Sequence, residues 1–167
     1  MACDKWVNLG FKILDASAFY AGVPFKSQDE CFTTSLVYDE IRHIKKNHNA
    51  LETLIEANRL KIRDPEKEHE KFVINAAKRS GDFLKLSKQD LSVIALCYGL
   101  NGDLISDDFA VLNLARNLGI NVFPIMTEGI KDVGRWVHYC SGCRKNFENQ
   151  TECPLCGNSL KMKLLKN

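Results

Sequence analysis

Between residues 11 and 125, short apolar runs alternate with longer segments whose apolar positions recur every three or four residues. FKILDASAFY (11–20) begins with Phe11, Ile13 and Leu14, the make-up of a buried strand, and gives way at Asp15 to Ala16, Ser17 and Ala18, which begin a turn or helix. CFTT (31–34) predicts a second strand. In SLVYDEIRHIKKN the residues Leu36, Val37, Ile41 and Ile44 keep helical spacing, and HNALETLIEANR (48–59) continues as helix. LKIRDP (60–65) reads as a strand and then a helix start, with Asp64 as N-cap and Pro65 at the first helical position. The charged EKEHEKFVINAAKRS that follows is a solvated helix stopped by Gly81. LSKQDLSVIALCYGL (86–100) sets Ser87 and Asp90 at capping-box spacing, with Leu91, Ile94, Ala95 and Tyr98 along one side. The strand DLIS, the helix DFAVLNLARNL, a stop at Gly119 and the strand INVFPI (120–125) complete the alternation. This order predicts an α/β domain with a mainly parallel central sheet flanked by helices.

The periodicity is lost in MTEGIKDVGRWVH, and the expected organisation is a main domain over 1–125, a linker over 126–138, a small unit over 139–160 and a basic tail over 161–167. YCSGCRKNFENQTECPLCGNSL carries two Cys-x-x-Cys pairs, Cys140 with Cys143 and Cys153 with Cys156, separated by nine residues. Each pair forms a tight knuckle that aims two thiolates at one point. Two knuckles close a tetrahedral four-sulfur site with no open position, so the expected ion is a structural zinc and the unit a zinc ribbon. Too small to bury a core of its own, such a unit folds on its metal. Isolated Cys31 and Cys97 read as small buried hydrophobes. Trp6 and Trp136, flanking the main domain, read as packing residues.

Charge divides unevenly. Residues 1–130 carry 16 Lys/Arg against 18 Asp/Glu, whereas residues 131–167 carry 7 against 3. Arg144, Lys145, Phe147, Lys161, Lys163 and Lys166 give the ribbon cations and an aromatic suited to an RNA backbone, with protein docking as the competing use. No run approaches the ~20 apolar residues of a membrane span. MACDKWVNLG lacks the unbroken apolar stretch of an export signal, and a reducing, cytoplasmic location is expected. Neither GxGxxG nor GxxxxGK[ST] occurs, so no phosphate loop supports a nucleotide fold.

The acids of the main domain need a different explanation. Asp15, Asp90 and Asp107 or Asp108 can each be a helix cap. Glu40, however, falls inside the stripe marked by Leu36, Val37 and Ile44, where an ionised group must be paired or bind a cation. Asp15 ends the first strand and Asp107 and Asp108 follow another, and in open parallel sheets those strand edges line one crevice. If Asp90 and Glu40 face it from helices, four carboxylates converge, a donor set for Mg²⁺ or Mn²⁺.

LDASAF, VYDEI, SKQD and SDDF, in that order and ahead of a four-cysteine ribbon, resemble the PIN-domain ribonucleases. With the ribbon included, the chain resembles the Nin-one-binding (Nob) endonucleases of archaea and eukaryotes. By position, the resemblance implies metal-binding roles for Asp15, Glu40, Asp90 and Asp108, and supporting hydroxyls on Ser17 and Ser106. Asp107, the middle residue of SDD, ranks after Asp108. Serine at 106 replaces the family's threonine and keeps the hydroxyl. The implied activity is Mg²⁺- or Mn²⁺-dependent endonucleolytic cutting of single-stranded RNA. The implied substrate is precursor small-subunit ribosomal RNA, cut at its mature 3′ end among pre-ribosomal particle proteins. Three other readings stay open: a non-catalytic RNA-binding assembly factor, a toxin-type PIN ribonuclease, which normally lacks a ribbon, and an aspartyl-phosphate phosphatase. The last wants a second acid where this chain has Ser17.

Overall fold

The computed structural model describes residues 10–44, 48–125, 134–147 and 150–166; Cys3 and Trp6 lie outside them. Five strands, β1 (Lys12–Leu14), β2 (Cys31–Thr33), β3 (Leu60–Ile62), β4 (Asp103–Ile105) and β5 (Asn121–Phe123), form one sheet in the order β3-β2-β1-β4-β5. Every pairing in it is parallel. The chain moves outward from β1 to β3 on one side and then returns to lay β4 and β5 on the other. The direction of winding therefore reverses between β1 and β4, and the crevice of an open α/β sheet lies at such a switch point.

Among the described residues, seven α-helices connect and cover the strands: α1 (Ala16–Tyr20), α2 (Val23–Lys26), α3 (Ser35–Ile44), α4 (His48–Glu56), α5 (Lys67–Ser80), α6 (Lys88–Leu100) and α7 (Phe109–Asn117). Ile13, Leu14, Leu104 and Ile105 are buried on both faces of the sheet, packed with Phe19, Val37, Ile41, Ile94 and Leu114 from the helices. Cys31 and Cys97 lie in this core, and burial pushes both thiols up, Cys31 to about 11.

Four expectations are corrected. Asp64 does not cap α5. Its Oδ1 accepts from the backbone N–H and Oγ of Ser35, at 2.9 and 2.8 Å, so it steadies the start of α3, and α5 begins two residues past Pro65. Phe11 is 48% exposed and meets Phe32 edge-on rather than entering the core. The buried face of α3 follows Val37 and Ile41, leaving Leu36 exposed and Glu40 half-buried. Finally, linker and tail give way to a second sheet: β6 (Gly134–Tyr139) pairs antiparallel with β7 (Asn146–Phe147) and with β8 (Lys161–Lys166), so the expected tail is the partner strand of the expected linker's end.

Trp136 on β6 joins this sheet to the main domain. Its ring meets Phe109 edge-on at 6.1 Å, lies 3.0 Å from the Lys85 ammonium, and its backbone passes so close to Gly81 (φ 79°) that a Cβ there would collide with the Trp136 carbonyl. Gly81 therefore both ends α5 and admits the second sheet.

Candidate active site and four-cysteine centre

At the C-terminal ends of β1 and β4 lies an open cleft of about 420 Å³, lined by Asp15, Ser17, Tyr20, Glu40, Gln89, Asp90 and Asp108 among others. Among the described residues, no lysine or arginine lines it. The four acids expected to converge therefore share one wall-to-wall space, although they border it rather than meet at a point.

Local rules fix each acid. Asp15 caps α1, its Oδ1 accepting from Ala16 N at 2.5 Å. Its Oδ2 accepts from the buried Ser106 hydroxyl at 2.6 Å, with the Ser17 hydroxyl at 3.2 Å. Asp90 completes the expected capping box: Ser87 N donates to its Oδ2 at 2.7 Å and Asp90 N donates to Ser87 Oγ at 3.1 Å. Asp108 caps α7 through Oδ1, which accepts from Ala110 N and Val111 N at 2.8 and 3.1 Å. Asp90 and Asp108 thus commit one carboxylate oxygen to a helix and retain the other. Glu40 reaches the cleft from α3.

Ser106 ties β4 to β1. Its hydroxyl proton goes to Asp15 while its lone pair accepts from Asp108 N at 3.0 Å, so one side chain sets the spacing of two candidate acids. Ser17 Oγ accepts from Asp107 N at 3.0 Å. The Asp107 carboxylate turns elsewhere, its Oδ1 accepting from Ile125 N at 2.8 Å, and it does not line the cleft.

Burial, first, and then the Asp90 charge push the Asp15 carboxyl above its ordinary range, against the lowering effect of the Ser106 hydrogen bond. A buried carboxylate beside other acids, in a cleft with no basic side chain among the described residues, is a donor set for a hard divalent cation.

Sequence reasoning missed a buried hydroxyl bridge and an aromatic. Thr34 Oγ1 and Ser92 Oγ lie 2.8 Å apart, linking the residue before α3 to the first turns of α6, while Thr33 Oγ1 donates to Leu14 O at 2.9 Å. This bridge holds the helices of Glu40 and Asp90 in register. Its signal was two hydroxyl residues inside otherwise apolar segments. Tyr20 lines the cleft from the end of α1, a helix too short to show a period.

In the second sheet, all four sulfurs of Cys140, Cys143, Cys153 and Cys156 lie within 4.8 Å of one another, the only such donor cluster among the described residues. The knuckles are near copies. Arg144 N donates to Cys140 O and Gly157 N to Cys153 O, both at 2.9 Å, and both donors hold positive φ, 58° and 68°. The Cys143 backbone N–H is the chief cause that draws the Cys140 thiol down to about 6, while at Cys156 the lowering Asn158 backbone N–H is outweighed by the neighbouring sulfurs of Cys140 and Cys153, which with burial push it up to about 11. Four sulfurs this close together suit a dication, and Zn–S bonds of about 2.3 Å fit the spacing. Arg144, Lys145, Lys161 and Lys163 are exposed around this centre and Phe147 is half-buried.

The family described as the PIN domain of ribonuclease matches residues 13–100, and with the parallel sheet and its acidic switch-point cleft this defines the class: a PIN-domain ribonuclease fold carrying a C-terminal four-cysteine ribbon. An endoribonuclease Nob1 of Pyrococcus abyssi is 37% identical over 90% of this chain and 91% of its own length; that of Methanothermobacter thermautotrophicus is 35% identical over 93% and 94%. Ribonuclease VapC1 of Thermoplasma acidophilum is 28% identical over 61% of this chain and 53% of its own. Within the class, the chain belongs to the Nob1 endoribonuclease family.

Proposed function

We propose that this protein is a Mg²⁺- or Mn²⁺-dependent endoribonuclease that cuts single-stranded RNA by water attack, leaving 3′-hydroxyl and 5′-phosphate ends. Its substrate is precursor small-subunit ribosomal RNA, cut at the mature 3′ end within a pre-ribosomal particle in the cytoplasm. The observation that carries the activity is the cleft at the switch point, bordered by Asp15, Glu40, Asp90 and Asp108 and, among the described residues, by no cationic side chain. The rRNA substrate and particle rest on family membership. Residues up to 125 form the cutting domain, and the sheet from Gly134 onward grips neighbouring RNA through Arg144, Lys145, Lys161 and Lys163, with Phe147 beside them.

Asp15, Glu40, Asp90 and Asp108 would hold the ion, which when bound places positive charge against the phosphodiester oxygens and acidifies water. The side chains themselves supply orientation. Ser106 and Ala16 N fix both oxygens of Asp15, and the caps of α6 and α7 fix Asp90 and Asp108. Asp107, through Ile125 N, sets the path of the chain as it leaves β5.

A second reading has its own support: Asp15, Asp90 and Asp108 all do cap helices, as in a non-catalytic assembly factor. Incubating the protein with Mn²⁺ and an RNA spanning the small-subunit 3′ end separates the two. Cutting that is lost in Asp15→Asn supports the enzyme; binding without metal-dependent cutting supports the assembly factor.

A further inference from the structure

A bound dication would offset only part of the charge of four carboxylates, and the described lining offers RNA no cationic side chain, so an uncharged contact would help hold the scissile region there. The described lining contains one aromatic side chain. Tyr20 is 47% exposed at the end of α1, and it lines the same cleft as Asp15, Glu40, Asp90 and Asp108. Among the described residues its ring packs against no other ring and its hydroxyl makes no hydrogen bond. Other exposed aromatics are engaged: Phe72 stacks on Tyr98 at 4.7 Å, Phe11 meets Phe32, and Phe109 meets Trp136.

The mounting is rigid. Phe19 and Ala18, just before Tyr20, are wholly buried, and the chain beyond turns back with Ala21 N on Ser17 O at 3.0 Å and Gly22 N on Phe19 O at 3.0 Å. Asp15, five residues earlier, caps the same short helix, so the backbone that carries the ring and the acid belong to one element. Partial burial, then Glu40, then Asp15, keep the phenol above its ordinary range, so the ring is neutral at neutral pH.

We propose that Tyr20 is a nucleobase subsite: its face stacks on one unpaired base flanking the scissile phosphate and holds the strand in the acidic cleft. This rests on the reading of that cleft as RNA-cutting. Stacking is indifferent to base identity, as suits a platform for single-stranded RNA. Tyr20 touches substrate without taking part in bond breaking, so its removal should weaken binding equally in ground and transition states, raising KM and sparing kcat.

The test uses the full chain, with zinc retained, and the small-subunit 3′-end RNA, comparing wild type with Tyr20→Ala, Tyr20→Phe and Tyr20→Leu at matched thermal stability. Loss of one stacked base predicts a KM increase of roughly 5- to 150-fold in Tyr20→Ala, with Tyr20→Phe within about twofold of wild type and Tyr20→Leu between them. Replacing one nucleotide beside the cut with an abasic one should raise the wild-type KM by a similar factor and add little in Tyr20→Ala. Equal losses in Tyr20→Phe and Tyr20→Ala would assign the residue's effect to its hydroxyl and overturn the subsite. So would an unchanged KM in Tyr20→Ala, or abasic and alanine effects that multiply independently. Wild-type protein that cuts no RNA would instead remove the reading beneath it.

Discussion

Ser106→Ala perturbs the point where the two halves of the sheet meet the cleft. The hydroxyl is fully buried, donates to Asp15 at 2.6 Å and accepts from Asp108 N at 3.0 Å. A hydrogen bond to a charged group contributes about 1.5–3 kcal/mol and a neutral one about 1 kcal/mol. Ser17 Oγ, 3.2 Å from the same Asp15 oxygen, recovers part of the first. The expected loss is therefore about 2–3 kcal/mol, read as a lower urea midpoint at unchanged m-value. The pH dependence has a definite sign. Burial holds the Asp15 carboxyl above its ordinary 3.8, so its contribution to stability is complete below 3.8 and is lost as pH rises through the folded value. Removing Ser106 takes away a hydrogen bond that lowers that folded value, so more stability is lost at neutral pH, and the variant's deficit should be larger at neutral pH than in acid. In the cutting assay, the rising limb of the pH–rate profile should move to higher pH, since the carboxylate form holds the cation. Ser106→Thr, which keeps the hydroxyl, should restore both. A deficit independent of pH, an unmoved limb, or a threonine variant as impaired as the alanine one would refute this account of Asp15.

Two further changes probe the second sheet. Cys156→Ser, or removal of zinc by a strong chelator, should erase the amide pattern of residues 134–166 in NMR spectra while leaving the helical circular dichroism of the main domain; an intact ribbon pattern without metal would show that the thiols do not fold it. Trp136→Ala removes a half-buried indole held between Lys85 and Phe109, a loss of roughly 2 kcal/mol, below the ~3–5 of a fully buried tryptophan. Thermal unfolding should then separate into two transitions, and a single transition at the wild-type midpoint would deny Trp136 its joining role.

The main domain was legible because its strands are bounded by residues with one structural option each: Asp15 at the end of β1, the Ser87–Asp90 box, and Gly81 and Gly119 as stops at φ 79° and 74°. The four cysteines were legible from spacing, because the knuckle is a local structure. β6 was not. GRWVHY puts a half-buried Trp136 on one face and a buried Val137 on the other, so it lacks the alternation of apolar and polar residues that marks a strand. Its partner KMKLLK reads by composition as a charged tail until β6 is there to pair with it. Asp64 misled for a related reason: it has the chemistry of a cap, but the helix it serves starts 29 residues earlier in the chain. The acids were placed in one cleft by chain order and strand ends, whereas Tyr20 and the Thr34–Ser92 bridge depend on how α1, α3 and α6 pack, which no local pattern encodes.

Asp15, Asp90 and Asp108 are kept in place by backbone N–H groups of α1, α6 and α7 whether or not a cation sits among them. The four thiols converge on a point that no helix holds. On the proposed function the two centres would differ in residence time. A cleft held in this way would release and recapture a divalent cation between turnovers without loosening the fold, its occupancy following the ambient divalent concentration. A ribbon folded on zinc would keep its ion for as long as it stays folded.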